Sequence, residues 1–308
     1  MAAAGRVATI DMLRGLALCG ILLIHVATFA RPGAPPGLGY AGSALDELIL
    51  AGLILLIEAK FFCLFAMLFG VSFSLQRESA ARRGAPFPAL FRRRLLILGL
   101  IGVAHIVLLW EGDILLLYAA AGLLLIPARD MPPARLVRLA LWLLAVPLLA
   151  MALAFAALML ARLQPEAAAT IAAAEAQFSR DFAASQAAVV ARYAGDDQAA
   201  AAAGRVAAYL ANLPLLLVRA PAVVAMFLLG FAAGRHGVAR DVERHLPLLR
   251  RASVWGLGVG LLGSALVTAA YTQLPPFAAL TALGLNQVFA GPVLAVGYAA
   301  TFVLLTRR

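Results

Sequence analysis

Eight long apolar stretches divide the chain, at about 12–30, 50–75, 95–110, 114–128, 136–161, 208–234, 252–270 and 286–306. A helix crossing the ~30 Å hydrocarbon core of a bilayer needs about 20 apolar residues, so the pattern predicts an all-α, polytopic transmembrane helical bundle of about eight spans. The third and fourth stretches are short and separated only by "EGD", which predicts a tight helical hairpin. The second is longer than one crossing needs, so its first part is expected to lie at the interface or to bend. Between the fifth and sixth stretches, residues 162–207 are Ala-rich with scattered Gln, Glu and Arg, a composition for helix outside the hydrocarbon, with a break expected at "AGDD" (194–197). The expected organisation is therefore a five-span half (1–161), this helical segment (162–207) and a three-span portion (208–308).

The polar intervals alternate in charge. "QRESAARRGAPFPALFRRR" carries six Arg against one Glu, "ARDMPPAR" and "RHGVARDVERHLPLLRR" are also Arg-rich, and the chain ends in "TRR". The intervening loops are acidic or uncharged: 31–49 has one Arg and two acids, "EGD" is acidic, and 271–285 is uncharged. Because cytoplasmic loops carry the Lys/Arg excess, both termini are expected to be cytoplasmic and 162–207 extracytoplasmic.

Composition agrees with the pattern. Of 308 residues 64% are hydrophobic and 13% charged, with mean hydropathy +0.96, against about 45–50% and about 25% in soluble domains. The net charge of +10 does not imply nucleic-acid binding, because the basic residues are spread through short loops rather than gathered on one solvated face. Twenty-four of the 25 basic residues are Arg, which with the Ala-rich tracts is the usage of a GC-rich bacterial gene; the expected location is the bacterial inner membrane. Cys19 and Cys63 sit inside apolar runs with no metal-ligand spacing; they read as packing residues, and no metal is expected. Asp11 and Arg14 at the start of the first stretch, with no A-x-A site after it, favour an uncleaved span over a signal peptide. Gly256 and Gly260 stand at small-xxx-small spacing, which permits close helix packing in the bundle or between copies in a homo-oligomer.

Ionisable residues are costly in a bilayer and mark interiors or aqueous cavities. Arg14 and His25 are 11 residues apart, as are Arg94 and His105. Eleven residues are almost three turns, so each pair shares a helix face about 16 Å apart along the axis. His25 and His105 then fall in the extracytoplasmic leaflet, where Glu111 and Asp113 close the hairpin and Glu58 and Lys60 enter from the same side. Bland roles stand beside each: Asp113 as a helix N-cap, Glu111 as a turn residue, the histidines as interhelical hydrogen bonders. Arg14 reads equally as an anchor paired with Asp11, Lys60 as a snorkelling side chain, and Trp110 and Tyr118 as interfacial aromatics. Arg219 is the unpaired charge of the sixth stretch, expected to be buried against a carboxylate.

The stretches "IDMLRGLALCGILLIH", "KFFCLFAMLFGVSFSLQR", "RRRLLILGLIGVAHIVLLWEGDILLLYAAAGLLL" and "MFLLGFAAGRHG" resemble the YeiB-like family, domain of unknown function 418, closely over the first 130 residues and loosely beyond. That family is similar at superfamily level to transmembrane acyltransferases such as heparan-alpha-glucosaminide N-acetyltransferase, which pass an acyl group from cytoplasmic coenzyme A to an acceptor across the membrane. Two departures stand out: family members usually carry Asn at the position of His25, and they continue beyond this C-terminus, so the chain looks shortened.

Acyl transfer needs a base to deprotonate an acceptor hydroxyl or amine, and a carboxylate to orient that base. His105 is the candidate base, Asp113 or Glu111 its orienter, and His25 a second base. Arg14, Arg93 and Arg94 are candidates for the phosphates of an acyl-CoA donor, and Glu58, Lys60, Trp110 and Tyr118 for a pocket taking a small-molecule or glycan acceptor. Two other readings use the same residues: a small-molecule transporter, although no inverted repeat and no Gly/Pro-broken pair of spans in matching positions is evident, and a non-catalytic membrane scaffold.

Overall fold

The computed structural model describes residues 8–29 and 43–307; Ala30, the last residue of the first apolar stretch, most of the 31–49 loop and the final Arg308 lie outside them. The described residues are helical almost throughout: α1 (Ala8–Phe29), α2 (Ala44–Leu56), α3 (Lys60–Arg82), α4 (Phe87–Leu108), α5 (Leu115–Leu123), α6 (Leu125–Ala128), α7 (Pro133–Ala161), α8 (Pro165–Ala194), α9 (Gln198–Ala211), α10 (Leu213–His236), α11 (Leu246–Gln273), α12 (Pro276–Leu285), a π-helical turn (Asn286–Ala290) and α13 (Gly291–Thr306). Start and stop signals set many of these boundaries. Ser43 and Asp46 form a reciprocal capping box on α2, proline opens α7, α8 and α12 at a position whose N–H has no helical partner anyway, and Gly237, at φ +68°, stops α10 in a left-handed cap.

Among the described residues six helical stretches are long and apolar enough to cross a membrane: Ala8–Thr28, Ala44–Arg82, Pro133–Ala161, Leu213–His236, Leu246–Gln273 and Pro276–Thr306. The two members of the expected hairpin are absent from this set for local reasons. Helix α4 is 22 residues long but carries Arg92, Arg93 and Arg94 in its second turn, and α5 and α6 are short pieces joined at Leu124. The two pieces nonetheless pack side by side as a hairpin. Leu96, Leu100 and Ile101 on α4, Leu141, Trp142, Leu149 and Leu153 on α7, and Leu262 and Leu266 on α11 all point outward. Such a continuous apolar exterior suits lipid; the fold is an all-α bundle with the character of a polytopic membrane protein.

Helices α3 and α10 form the spine. Gly70 faces the Phe227 carbonyl, Gly230 the Met67 carbonyl and Gly234 the Ser74 side chain, each so closely that a Cβ would lie within 2.8 Å of its neighbour. Beside this seam the rings of Phe69 and Phe227 stack at 4.5 Å, and Phe73 meets Phe91 and Phe231 edge-on at 4.7 and 4.8 Å. A second small-residue seam joins α11 to α13, where Gly256 meets Gly297 and Gly260 meets Leu294. Gly256 and Gly260 therefore lie inside the bundle, and α13 occupies the face a second copy would need. Cys63 is fully buried in the core, while Cys19 is exposed on α1.

The Arg-rich intervals gather at one end of the bundle. Arg77 pairs with Asp130 at 2.8 Å, Arg240 with Glu78 at 2.7 Å, Arg307 with Glu243 at 4.0 Å, and Arg235 donates to the Met131 carbonyl. At the other end α8 and α9 lie over the helix ends. Glu175 anchors α8, accepting from Arg162 at 2.5 Å and from the Phe277 N–H at the start of α12 at 2.9 Å. The α8–α9 break falls at the expected "AGDD", where Asp197 caps α9 through the Ala200 N–H at 2.9 Å.

Two long helical stretches are interrupted within the apolar zone. Between α2 and α3 the chain turns at Glu58–Ala59, with Ala59 at φ +66°, a left-handed conformation unusual for a residue with a Cβ. Between α12 and α13 the helix widens into its π turn. The two interruptions meet: a Cβ on Gly291 would lie 2.7 Å from that of Ala59. The sequence reading finds no Gly/Pro-broken pair; neither break carries a proline or glycine at its centre.

Candidate functional site

The hairpin tip is built by its own sequence. Leu109 and Trp110 both donate their N–H to the His105 carbonyl at 2.9 Å, ending α4. Gly112 leaves room for the Trp110 ring, which would lie 2.0 Å from a Cβ there. Asp113 then caps α5, its Oδ1 accepting the Leu116 N–H at 2.8 Å. The other carboxylate oxygen, Oδ2, stands 3.2 Å from His105 Nδ1, close but not aligned for a straight hydrogen bond. Gly102 permits this approach, since a Cβ there would meet the Leu116 N–H at 2.8 Å and Asp113 Oδ1 at 3.0 Å. Asp113 is almost fully buried, whereas the His105 side chain is 30% exposed. The carboxylate thus serves as both cap and histidine neighbour, its two oxygens divided between the tasks.

Helix α1 brings His25 to the same tip. Its Nδ1 lies 2.6 Å from the Ile21 carbonyl, which assigns the proton to that nitrogen, and its ring meets Trp110 edge-on at 4.9 Å. Glu111 turns away from the histidines and accepts from the Tyr193 hydroxyl of α8 at 2.7 Å. Tyr118 reaches back to the Phe62 carbonyl at 2.8 Å, joining α5 to α3.

Helices α8 and α9 contribute residues that sequence reasoning does not single out. Arg205 donates through Nε and Nη2 to the Val107 carbonyl at 3.0 and 2.7 Å, placing a cation on the C-terminal carbonyls of α4, where it is most favourable. Its guanidinium also lies 5.7 Å from the Tyr193 ring centre. Burial, then the Glu111 hydrogen bond and charge, push the Tyr193 hydroxyl up to about 12. Burial and, second, the Asp113 charge raise that of Tyr209, which packs in a small cluster with Ile106 and Leu216. The available signal is helical spacing: Ala201, Gly204, Arg205 and Tyr209 form one buried stripe on α9.

At the Arg-rich end, Arg14 is occupied by Asp11 at 2.7 Å and by Ser72 of α3 at 2.6 Å, so it braces α1 against α3. Arg93 is exposed on α4. Arg94 lines a groove of about 240 Å³ between α3 and α4 together with Gln76, Ser79, Arg83, Phe87 and Phe91.

Glu58 and Lys60 form a separate cluster at the two interruptions. Lys60, a pocket candidate for which snorkelling is the alternative role, is fully buried; its Nζ donates to the Ile54 carbonyl at 2.6 Å and to Asn286 Oδ1 at 3.0 Å. Asn286 Nδ2 donates to the Glu58 carboxylate, and Gln287 Nε2 reaches its other oxygen at 2.5 Å. Asn286 and Gln287 are buried amides that pattern reading passes over. Arg219 meets no carboxylate: its Nε is buried with no hydrogen-bond partner among the described residues.

The bundle and its buried polar clusters define a multi-pass helical membrane protein. Residues 233–308 match the family model described as "Protein of unknown function (DUF418)". The chain is 36% identical over 135 residues to "Uncharacterized protein YxaH" of Bacillus subtilis (42% of this chain, 34% of that protein). It is 37% identical over 122 residues to an "Uncharacterized 39.9 kDa protein in amylase 3'region" of Bacillus acidopullulyticus (40% and 34%), and 36% identical over 119 residues to "Uncharacterized protein YeiB" of Escherichia coli (38% and 29%). Over these stretches it is homologous to the YeiB-like, DUF418 proteins of bacteria, and the matches span about a third of the relatives' length. No solved structure matches.

Proposed function

We propose that the chain is a membrane acyltransferase that crosses the bacterial inner membrane eight times with both termini in the cytoplasm, moving an acyl group from coenzyme A to an extracytoplasmic acceptor. The observation that carries this reading is the His105–Asp113 pair at the hairpin tip, 3.2 Å apart. In this reading a small turn of the ring aligns Nδ1–H, now 3.2 Å from the buried carboxylate, and leaves Nε2 as the base. An acceptor hydroxyl or amine gives its proton to Nε2 as its oxygen or nitrogen attacks the thioester carbonyl. The C–S bond then breaks, and the leaving thiolate takes the proton back. Asp113 holds the ring and stabilises the imidazolium, while Tyr209 and Arg205 keep the α9 side closed.

The groove beside Arg94 and Arg83 supports the donor end. Its two guanidiniums suit phosphates, and it lies on the helix that carries His105, about 16 Å away along the axis. The test is thermal stability of the protein in nanodiscs with acetyl-CoA, longer acyl-CoAs and free coenzyme A. Saturable stabilisation that is lost in Arg94→Ala is expected; no response to any thioester counts against the donor site.

One observation favours a second reading, transport of a small solute: two interrupted helices meet around charged and amide side chains, as at the binding sites of secondary transporters. Solute flux in proteoliposomes without acyl transfer would move the assignment there.

A further inference from the structure

We infer that the joint between the α2–α3 break and the π turn is an intramembrane binding site for a small hydroxycarboxylate, distinct from the His105–Asp113 pair. Three observations converge on it. The first is depth. Lys60 stands about 24 Å along α3 from Gln76, within a ~30 Å hydrocarbon core and about 6 Å short of its far boundary. Helices α3 and α10 run parallel, as the pairs Met67–Gly230, Gly70–Phe227 and Ser74–Gly234 show. Their numbering offset of about 160 brings Arg219 level with Ala59, and α10 also packs against the π turn. At this level Pro221, inside α10, removes the N–H that would bond the Leu217 carbonyl. Two helices are thus interrupted, and a third lacks one backbone hydrogen bond, at one depth.

The second observation is charge. Among the described residues the joint holds one carboxylate, Glu58, against two cations, Lys60 and Arg219. An excess positive charge in hydrocarbon is costly, and a bound monoanion balances it.

The third is an unmatched donor and acceptor. Arg219 Nε and Gln287 Oε1 are buried without hydrogen-bond partners among the described residues, and Gln287 is only 4% exposed. The Glu58 carboxylate, which only accepts, fixes the Gln287 amide with its nitrogen inward, so Oε1 faces a partner that must donate. A carboxylate answers the guanidinium and an adjacent hydroxyl answers the amide oxygen. Chloride answers only the first, and an amino acid zwitterion leaves the excess charge uncompensated.

The experiment titrates the protein in nanodiscs with lactate, propionate and chloride, following thermal stability and the carboxylate stretch of 13C-labelled ligand by difference infrared spectroscopy. Lactate is expected to bind saturably, propionate about tenfold more weakly for want of one buried hydrogen bond, and chloride without saturation. Arg219→Gln abolishes the lactate response, Gln287→Leu lowers it to that of propionate, and His105→Ala leaves it unchanged, which separates this site from the acyl-transfer reading. Absence of saturable lactate binding, chloride matching lactate, or an Arg219→Gln protein that binds like wild type would each overturn the inference. Should Arg219→Gln fail to fold, the order of the three ligands on wild type decides alone.

Discussion

Replacing Gly70 by alanine puts a methyl group where the α3–α10 spine has no room. The new Cβ would lie 1.9 Å from the Phe227 carbonyl oxygen and 2.8 Å from the Phe231 nitrogen, both backbone atoms that no rotamer change can move. A relaxed C···O contact is about 3.4 Å, so α10 must retreat by about 1.5 Å. That opens the Phe69–Phe227 stack and the Phe73–Phe231 contact, now at 4.5 and 4.8 Å. Such pairs contribute about 0.5–1.5 kcal/mol each, and a gap of this size forfeits half or more of it. With about 1–3 kcal/mol of overpacking strain, the loss is about 2–4 kcal/mol. Gly258 on α11, with nothing within 4 Å of its Cβ position, is the control; alanine there gains about 0.4–1 kcal/mol by restricting the unfolded chain. Reversible unfolding in mixed micelles measures both. A Gly70→Ala protein within about 0.5 kcal/mol of wild type would refute the close seam, since even the lower bound from overpacking alone exceeds it.

Three further outcomes follow from the geometry. Asp113→Asn keeps the α5 cap, because Asn caps as well as Asp, whereas Asp113→Ala costs about 1 kcal/mol more; acyl transfer falls in both, and activity surviving in Asp113→Asn would separate the carboxylate from the chemistry. Because Tyr193 titrates higher in the fold than its ordinary 10, its contribution is complete below about 10 and disappears as pH rises through about 12; protease sensitivity of the α8–α9 cover should rise over that window, and Tyr193→Phe should flatten the change. Glu175→Gln leaves Arg162 without its carboxylate and should speed hydrogen exchange in α8 and the first turn of α12 while sparing the α3–α10 spine; protection unchanged from wild type would show that this anchor is idle.

The bundle is legible because lipid-facing and core-facing apolar residues are both written as long runs, and because the hairpin is marked by three consecutive non-apolar residues. The His105–Asp113 approach is legible too, since eight residues spanning one tight turn can bring the two together. The α2–α3 break is legible only as the bend that an over-long stretch implies; its place is not, because "LLIEAKFF" carries no breaker and the left-handed Ala59 is held by Asn286, Gln287 and Gly291 from more than 220 positions away. Arg205 and Tyr209 are hidden for a different reason, because an Ala-rich segment gives little contrast between buried and solvated faces. Asp11 is a legible partner of Arg14, three residues away; its other partner, Ser72, and the Tyr193 partner of Glu111 lie on other helices, beyond the reach of local spacing.

The central claim is that His105, held by Asp113, takes a proton during transfer of an acyl group from coenzyme A. Its most direct test is the release of free coenzyme A from labelled acetyl-CoA by the protein in proteoliposomes, with a panel of hydroxyl and amine acceptors, for wild type, His105→Ala and Asp113→Asn. The account predicts acceptor-dependent release by wild type that falls at least about a hundredfold in His105→Ala, the usual worth of a general base, with the Gly258→Ala protein unaffected. Release that persists undiminished in His105→Ala would contradict it.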